Sequence, residues 1–144
     1  MDDSLWTLLK GMEDGYPYFI RVRTDLAAVV GDRALPNLLE IRWTYFVDES
    51  HAAHGLPTQE QLQEMATFEE RIVPALEDGR HAILVSVNMR CGERRWLCYC
   101  DTREQAERAL NSALGGDPSF PIELSMMPDP EWKFYRDLLL EIPS

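Results

Sequence analysis

Apolar and polar residues alternate at both ends and in the middle of this chain and switch to helical spacing in between, and the switching predicts an order of elements. Leu5 to Met12 reads as a strand, Glu13-Asp14-Gly15 as a turn and Tyr16 to Thr24 as a second strand, together an N-terminal hairpin. Its second strand places Tyr18, Ile20 and Val22 on one face and Phe19, Arg21 and Arg23 on the other. Asp25 to Pro36 reads as a loop with room for a short helical turn. Asn37 to Val47 is a strand with Leu39, Ile41, Trp43, Tyr45 and Val47 facing one way and Glu40, Arg42 and Thr44 the other.

After a polar loop, Asp48 to Pro57, Thr58 and Gln61 form a capping box, and Leu62, Met65, Ala66, Glu69, Ile72 and Val73 follow at helical spacing. Glu69 is the polar interruption. Pro74 predicts a kink, or an end near Ile72, with Asp78-Gly79 closing the helix. His81 to Met89 and Glu93 to Asp101 read as strands joined at Cys91-Gly92. Strict alternation then sets Ile83, Val85 and Val87 opposite Cys100, Cys98 and Trp96 on one face. The other face takes Leu84, Ser86, Asn88, Arg90, Arg95, Leu97 and Tyr99. Thr102 and Gln105 open a second helix as a capping box. Ala106, Ala109, Leu110, Ala113 and Leu114 form its narrow small-residue stripe, and Gly115-Gly116 stops it. Phe120, Ile122, Leu124 and Met126 mark a last strand. Asp129 as N-cap with Pro130 at the first helical position opens a closing helix that buries Trp132, Tyr135, Leu139 and Ile142.

From Asn37 the order is strand, helix, strand, strand, helix, strand. That predicts an α+β domain with a ferredoxin-like two-layer sandwich, both helices on one sheet face. The hairpin would extend the sheet and the C-terminal helix would pack on an edge or an end. Residues 1–144 read as a single domain, long enough to bury a core without disulfides or metal.

Composition narrows the setting. With 45% hydrophobic and 27% charged residues the chain falls among soluble globular proteins. Twenty-five acidic residues against 14 basic ones give a net charge of -11, which disfavours nucleic acid and anionic membrane as partners. No secretory signal or membrane-length apolar run is visible, and the three cysteines, Cys91, Cys98 and Cys100, form no disulfide framework, so a cytoplasmic setting with reduced thiols is expected.

Several landmarks recur in one known pattern: Trp6, Asp14-Gly15 followed by Ile20-Arg21-Val22, and His54-Gly55-Leu56-Pro57. Gly92 with Arg94, Trp96 and Tyr99, and Asp129-Pro130-Glu131-Trp132 with Tyr135, complete it. Over nearly its whole length the chain resembles the bacterial family of domains of unknown function numbered 695. The resemblance implies a fold more than an activity. Some related bacterial proteins join such a domain to one resembling the protein inhibitor of ribonuclease E, itself acidic and ferredoxin-like. That company implies a regulatory, protein-binding role by analogy.

Candidate chemistry is sparse. His51 and His54, with Asp48 and Glu49 nearby, are the first place for a metal, but they lie in a loop, and a solvated loop is the plainer reading. Cys98 and Cys100 share a strand face with Trp96 and read as core residues. Cys91, between Arg90 and the nearby Arg94, is the most exposed thiol, and no nucleophile elbow or phosphate loop accompanies it. The pairs Glu69-Glu70 and Glu77-Asp78 read as a solvated helix face. No cofactor or metal is predicted.

The remaining feature is the sheet face turned away from the helices. Arg42, Arg90, Arg95 and Tyr99 lie there, a mixture that protein interfaces favour, with single-stranded RNA disfavoured by the acidic total. The chain is therefore expected to be a non-enzymatic binding or regulatory module with a protein partner, or one that self-associates. The alternative is a small metal-dependent or thiol enzyme using His51, His54 or Cys91.

Overall fold

A computed structural model describes residues 5–47, 55–78, 80–115 and 120–142. His51, His54, Asp48 and Glu49 lie outside the described residues, as do Gly79 and Gly116. The elements are β1 (Trp6–Glu13), β2 (Tyr16–Arg23), β3 (Asn37–Thr44), α1 (Gln59–Asp78), β4 (Ala82–Arg90), β5 (Glu93–Cys100), α2 (Arg103–Leu114), β6 (Ile122–Pro128) and α3 (Lys133–Leu140). The strands form one six-stranded antiparallel sheet in the order β1-β2-β4-β5-β3-β6. No helix among the described residues is long and apolar enough to cross a membrane.

The hairpin turn is built as its sequence reads. Asp14 and Gly15 both take positive φ (53° and 85°), which suits the tight two-residue turns that match strand twist. Alternation along β3 also holds. Leu39, Ile41 and Trp43 enter a core with Met65, Phe68, Ile72 and Leu76 of α1 and Ala106, Leu110 and Leu114 of α2. Trp43, Phe68 and Trp96 lie edge-on or tilted to one another at the centre of this layer. Phe68 and Leu76 replace Ala66, which is exposed, in the expected stripe.

The expectations for the first two helices are met in part. The first helix neither ends at Ile72 nor restarts, because α1 continues through Pro74 to Asp78. Pro74 and Glu70 both sit on the solvent side, so the carbonyl left without a proline N–H faces solvent and not the core. At the first capping box both bonds form, Gln61 N to Thr58 Oγ1 (3.1 Å) and Thr58 N to Gln61 Oε1 (2.7 Å). At the second, Gln105 N donates to Thr102 Oγ1, but Thr102 N donates to Asp101 Oδ1 instead of to Gln105.

Strict alternation fails in β4, where a bulge lies between Leu84 and Ser86. Val87 does oppose Trp96, but Leu84 opposes Cys98 on the helix side, while Ile83 and Val85 turn to the other face. Helix α1 secures the bulge: Glu77 Oε1 accepts from Leu84 N (3.3 Å) and from Arg23 Nη1 (2.7 Å). A second tie explains the polar interruption in α1. Glu69 Oε1 accepts from Trp96 Nε1 (2.7 Å) and Arg21 Nη2 (2.8 Å), with Arg94 Nη2 at 3.4 Å.

The C-terminal helix packs on neither an edge nor an end. It lies on the sheet face opposite α1 and α2, where Trp132, Tyr135 and Leu138 join Ile20, Val22, Leu26, Leu35, Leu38, Val85, Leu97 and Tyr99 in a second core. The Trp132 ring stacks on Tyr99 at 4.1 Å with 5° between planes, and its Nε1 donates to Leu35 O. Helix α3 begins at Lys133, not at Pro130, since Trp132 adopts a left-handed conformation (φ 59°) that precedes the first turn. Asp129 still caps it. Its carboxylate accepts from Lys133 N (2.9 Å), Phe134 N (3.0 Å) and the Tyr99 hydroxyl (2.6 Å).

Burial works against ionised Asp129, but the bonds from Tyr99, Phe134 and Lys133 outweigh it and hold its pKa below the ordinary 3.8. Tyr99→Phe removes a hydrogen bond to a charged group and is expected to lower unfolding free energy by about 2 kcal/mol in urea titration, with the fold retained. A lowered carboxylate pKa contributes stability above the unfolded value and loses it as pH falls through the folded one. Asp129→Asn is therefore expected to lower the urea midpoint at neutral pH, and the gap to the parent should close as pH drops below 3.8.

Candidate functional site

Helix α3 and the 26–35 turns cover only part of the second sheet face. Tyr99, expected on an open surface, is 0% exposed beneath Trp132, and Leu97 is buried as well. Burial pushes the Tyr99 hydroxyl well above the ordinary tyrosine range, and the bond to Asp129 raises it further. Tyr99 thus anchors the helix that borders the open area. Leu84, assigned to this face from alternation, lies on the other side of the bulge. Ser86 and Asn88 are on the expected face but buried, with Ser86 Oγ donating to Asn88 Oδ1 at 2.6 Å.

What remains open is a groove of about 390 Å³ between α3 and the charged end of the sheet. Its apolar side comprises Leu38, Leu97, Met126, Met127 and Phe134, and Met127 is 58% exposed. Its polar side comprises Glu40, Asn88, Arg90, Arg95 and Ser125. A second hollow of about 300 Å³ shares Arg90 and runs to the hairpin turn along Glu13, Tyr18, Cys91 and Glu93.

The three candidate arginines, Arg42, Arg90 and Arg95, do share this face, and each meets a carboxylate. Arg95 lies 2.8 Å from both Glu40 and Glu93, Arg42 pairs with Glu123, and Arg90 pairs with Glu13 while lying over the Tyr18 ring. Register places Arg42 directly opposite Arg95, a repulsive arrangement unless acids flank it. Glu40, Glu93 and Glu123 are those flanking acids; alternation places Glu40 beside Arg42, and the strand register adds Glu93 and Glu123. Ser125 Oγ donates to Glu40 Oε2 (3.0 Å), tying the edge strand β6 to the array. Paired guanidiniums are already neutralised, so the face offers a mosaic of both signs rather than an anion cradle.

Cys91 occupies the β4–β5 turn, where Gly55 packs against it: a Cβ at Gly55 would lie 2.5 Å from Cys91 Sγ. Gly55 also has φ 65°, so two separate demands require glycine there. The Tyr45 hydroxyl lies 2.8 Å from the carbonyls of both Gly55 and Arg90 and donates to one at a time, and burial raises its pKa to about 12. Gly55 of the His54-Gly55-Leu56-Pro57 landmark thus docks on the turn. Cys98 and Cys100 lie in the first core, where burial raises both thiols, Cys100 to about 12.

A further pairing was not legible in the sequence. His81 Nδ1 and Asp101 Oδ2 lie 2.9 Å apart where β4 starts and β5 ends, and the neighbouring hollow includes Ser112. No hydrogen bond joins His81 to Ser112, so this is a strand-end tie without the connected geometry of a catalytic triad. No group of three or more metal-ligating side chains occurs among the described residues.

A family model described as a family of unknown function, DUF695, matches residues 4–140. No curated protein matches the chain.

Thiol accessibility gives a direct check of this layout. The aromatic disulfide reagent used for thiol counting is expected to modify Cys91 alone in the native protein, and Cys98 and Cys100 only after denaturation. Rapid native modification of all three would contradict the placement of the β5 cysteines.

Proposed function

The chain belongs to the DUF695 family of unknown function, and we propose that it acts as a protein-binding, regulatory module through the groove beside α3. The observation that carries this reading is the junction of an apolar strip containing exposed Met127 with an array of paired Arg and Glu side chains. Such a surface buries hydrocarbon at its centre and discriminates partners by charge at its margin. The same pairing leaves little unneutralised positive charge for RNA.

We assign the core to the ferredoxin-like class. Support comes from the order β4-β5-β3-β6, from antiparallel neighbours throughout, and from α1 and α2 packing on one face. The proposed kinship with the acidic, ferredoxin-like inhibitor of ribonuclease E rests on this core order and on the acidic charge, and points to regulation by contact.

The test is capture from native lysate by the immobilised chain, compared with Met127→Glu, Arg95→Glu and a control, Arg108→Glu, on exposed α2. Capture of at least one partner is expected to fall about tenfold or more in both groove variants and to persist in the control. Equal capture by parent and groove variants would reject the groove. Light scattering separates a second copy of the chain from a foreign partner.

A further inference from the structure

On the opposite sheet face, where α1 reaches the N-terminal hairpin through Glu69 and Glu77, the side chains leave a hollow of about 280 Å³. Leu8, Phe19, Val87 and Met89 make it mostly apolar, and Arg21 and Arg94 complete its lining. Its volume is near the lower end of small-molecule sites, about 300–1,000 Å³. Leu8 is 51% exposed, so the hollow is open to solvent.

The charge balance here differs from that of the groove. Arg21 and Arg94 both reach the same oxygen of Glu69, which also accepts from Trp96 Nε1. Among the described residues this is the carboxylate that pairs with either guanidinium, so two positive charges face one negative. Arg94 has a side chain only 12% exposed, and its Nε is buried without a hydrogen-bond partner. Stacking holds the pair in place: Arg21 lies over the Trp6 ring at 5.0 Å and Arg94 over the Trp96 ring at 5.3 Å. Lys10 stands next to Leu8 on the same strand face, opposite Phe19, and forms no ion pair among the described residues. In a chain of net charge -11, local positive charge beside exposed hydrocarbon has a specific chemical complement.

We propose that this hollow binds a small apolar carboxylic acid. Its carboxylate would supply the second negative charge to Arg21 and Arg94, and its hydrocarbon chain would lie over Leu8, Phe19 and Met89. A cation of the same length is repelled, and an uncharged analogue leaves the guanidinium excess unmatched. The site lies on the other face from the groove, so either can fail without the other.

The experiment is an NMR titration of the intact chain with sodium octanoate, with octylammonium chloride and 1-octanol as matched probes. Octanoate is expected to bind saturably and to move signals of Leu8, Phe19 and Met89. Octylammonium should not bind, and octanol should bind at least about tenfold more weakly. Arg21→Gln and Leu8→Glu are each expected to weaken octanoate about tenfold or more. Leu8→Glu alters a solvent-exposed position, so it keeps the test decisive if Arg21→Gln perturbs folding. No saturable octanoate binding below about 10 mM, equal binding of octylammonium, or octanoate affinity unchanged by Leu8→Glu would each overturn the proposal.

Discussion

The stacking of Trp132 on Tyr99 decides what kind of surface this protein presents. A six-stranded sheet with two helices on one side leaves its other side wet or in need of cover. Here Asp129 draws together the first turn of α3 and the Tyr99 hydroxyl, and the left-handed Trp132 lays its indole flat on the tyrosine ring. Tyr135 extends the hold by donating from its hydroxyl to Arg23 O (2.6 Å), at the end of the hairpin. One short helix thereby closes the middle of the face and becomes the wall of the groove beside it.

The two faces distribute charge differently. On the groove side each arginine has at least one carboxylate, and Arg95 has two. On the helix side Arg94 is drawn into a poorly solvated position, and desolvation lowers its pKa despite the attraction of Glu69. The first arrangement suits recognition by a surface that carries both signs. The second suits a single compact anion with a hydrocarbon tail. The second arrangement sits on the hairpin side of the sheet, where Leu8, Phe19 and Arg21 line the hollow.

Much of the element order was legible because turn chemistry and periodicity agreed. Asp14-Gly15, the two Thr–Gln caps and the alternation that begins at Asn37 each point to one local structure, although the strand ends at Thr44 and not at the expected Val47. The face assignments in β4 were not legible, since a bulge at Leu84–Ser86 shifts the phase and the residue that stabilises it, Glu77, lies on a different element. Glu69 was visible as an interruption in an apolar stripe, and that interruption marked an ion-paired tie, though its partners are 25 to 48 residues away. Asp129-Pro130 resembled a standard helix start. Only the backbone reveals that Trp132 turns left-handed first, which moves the helix onto Tyr99 and takes that side chain out of the surface.

The most direct measurement is the set of proton–proton contacts between the Trp132 indole and the Tyr99 ring in a nuclear Overhauser spectrum of the intact chain. Strong cross-peaks between the two rings, upfield-shifted Tyr99 ring signals and an indole N–H protected from exchange by its bond to Leu35 are expected. Absent cross-peaks, together with an indole N–H that exchanges as fast as an exposed one, would contradict the stacking. The sheet face would then be open across Tyr99, without the wall that defines the groove.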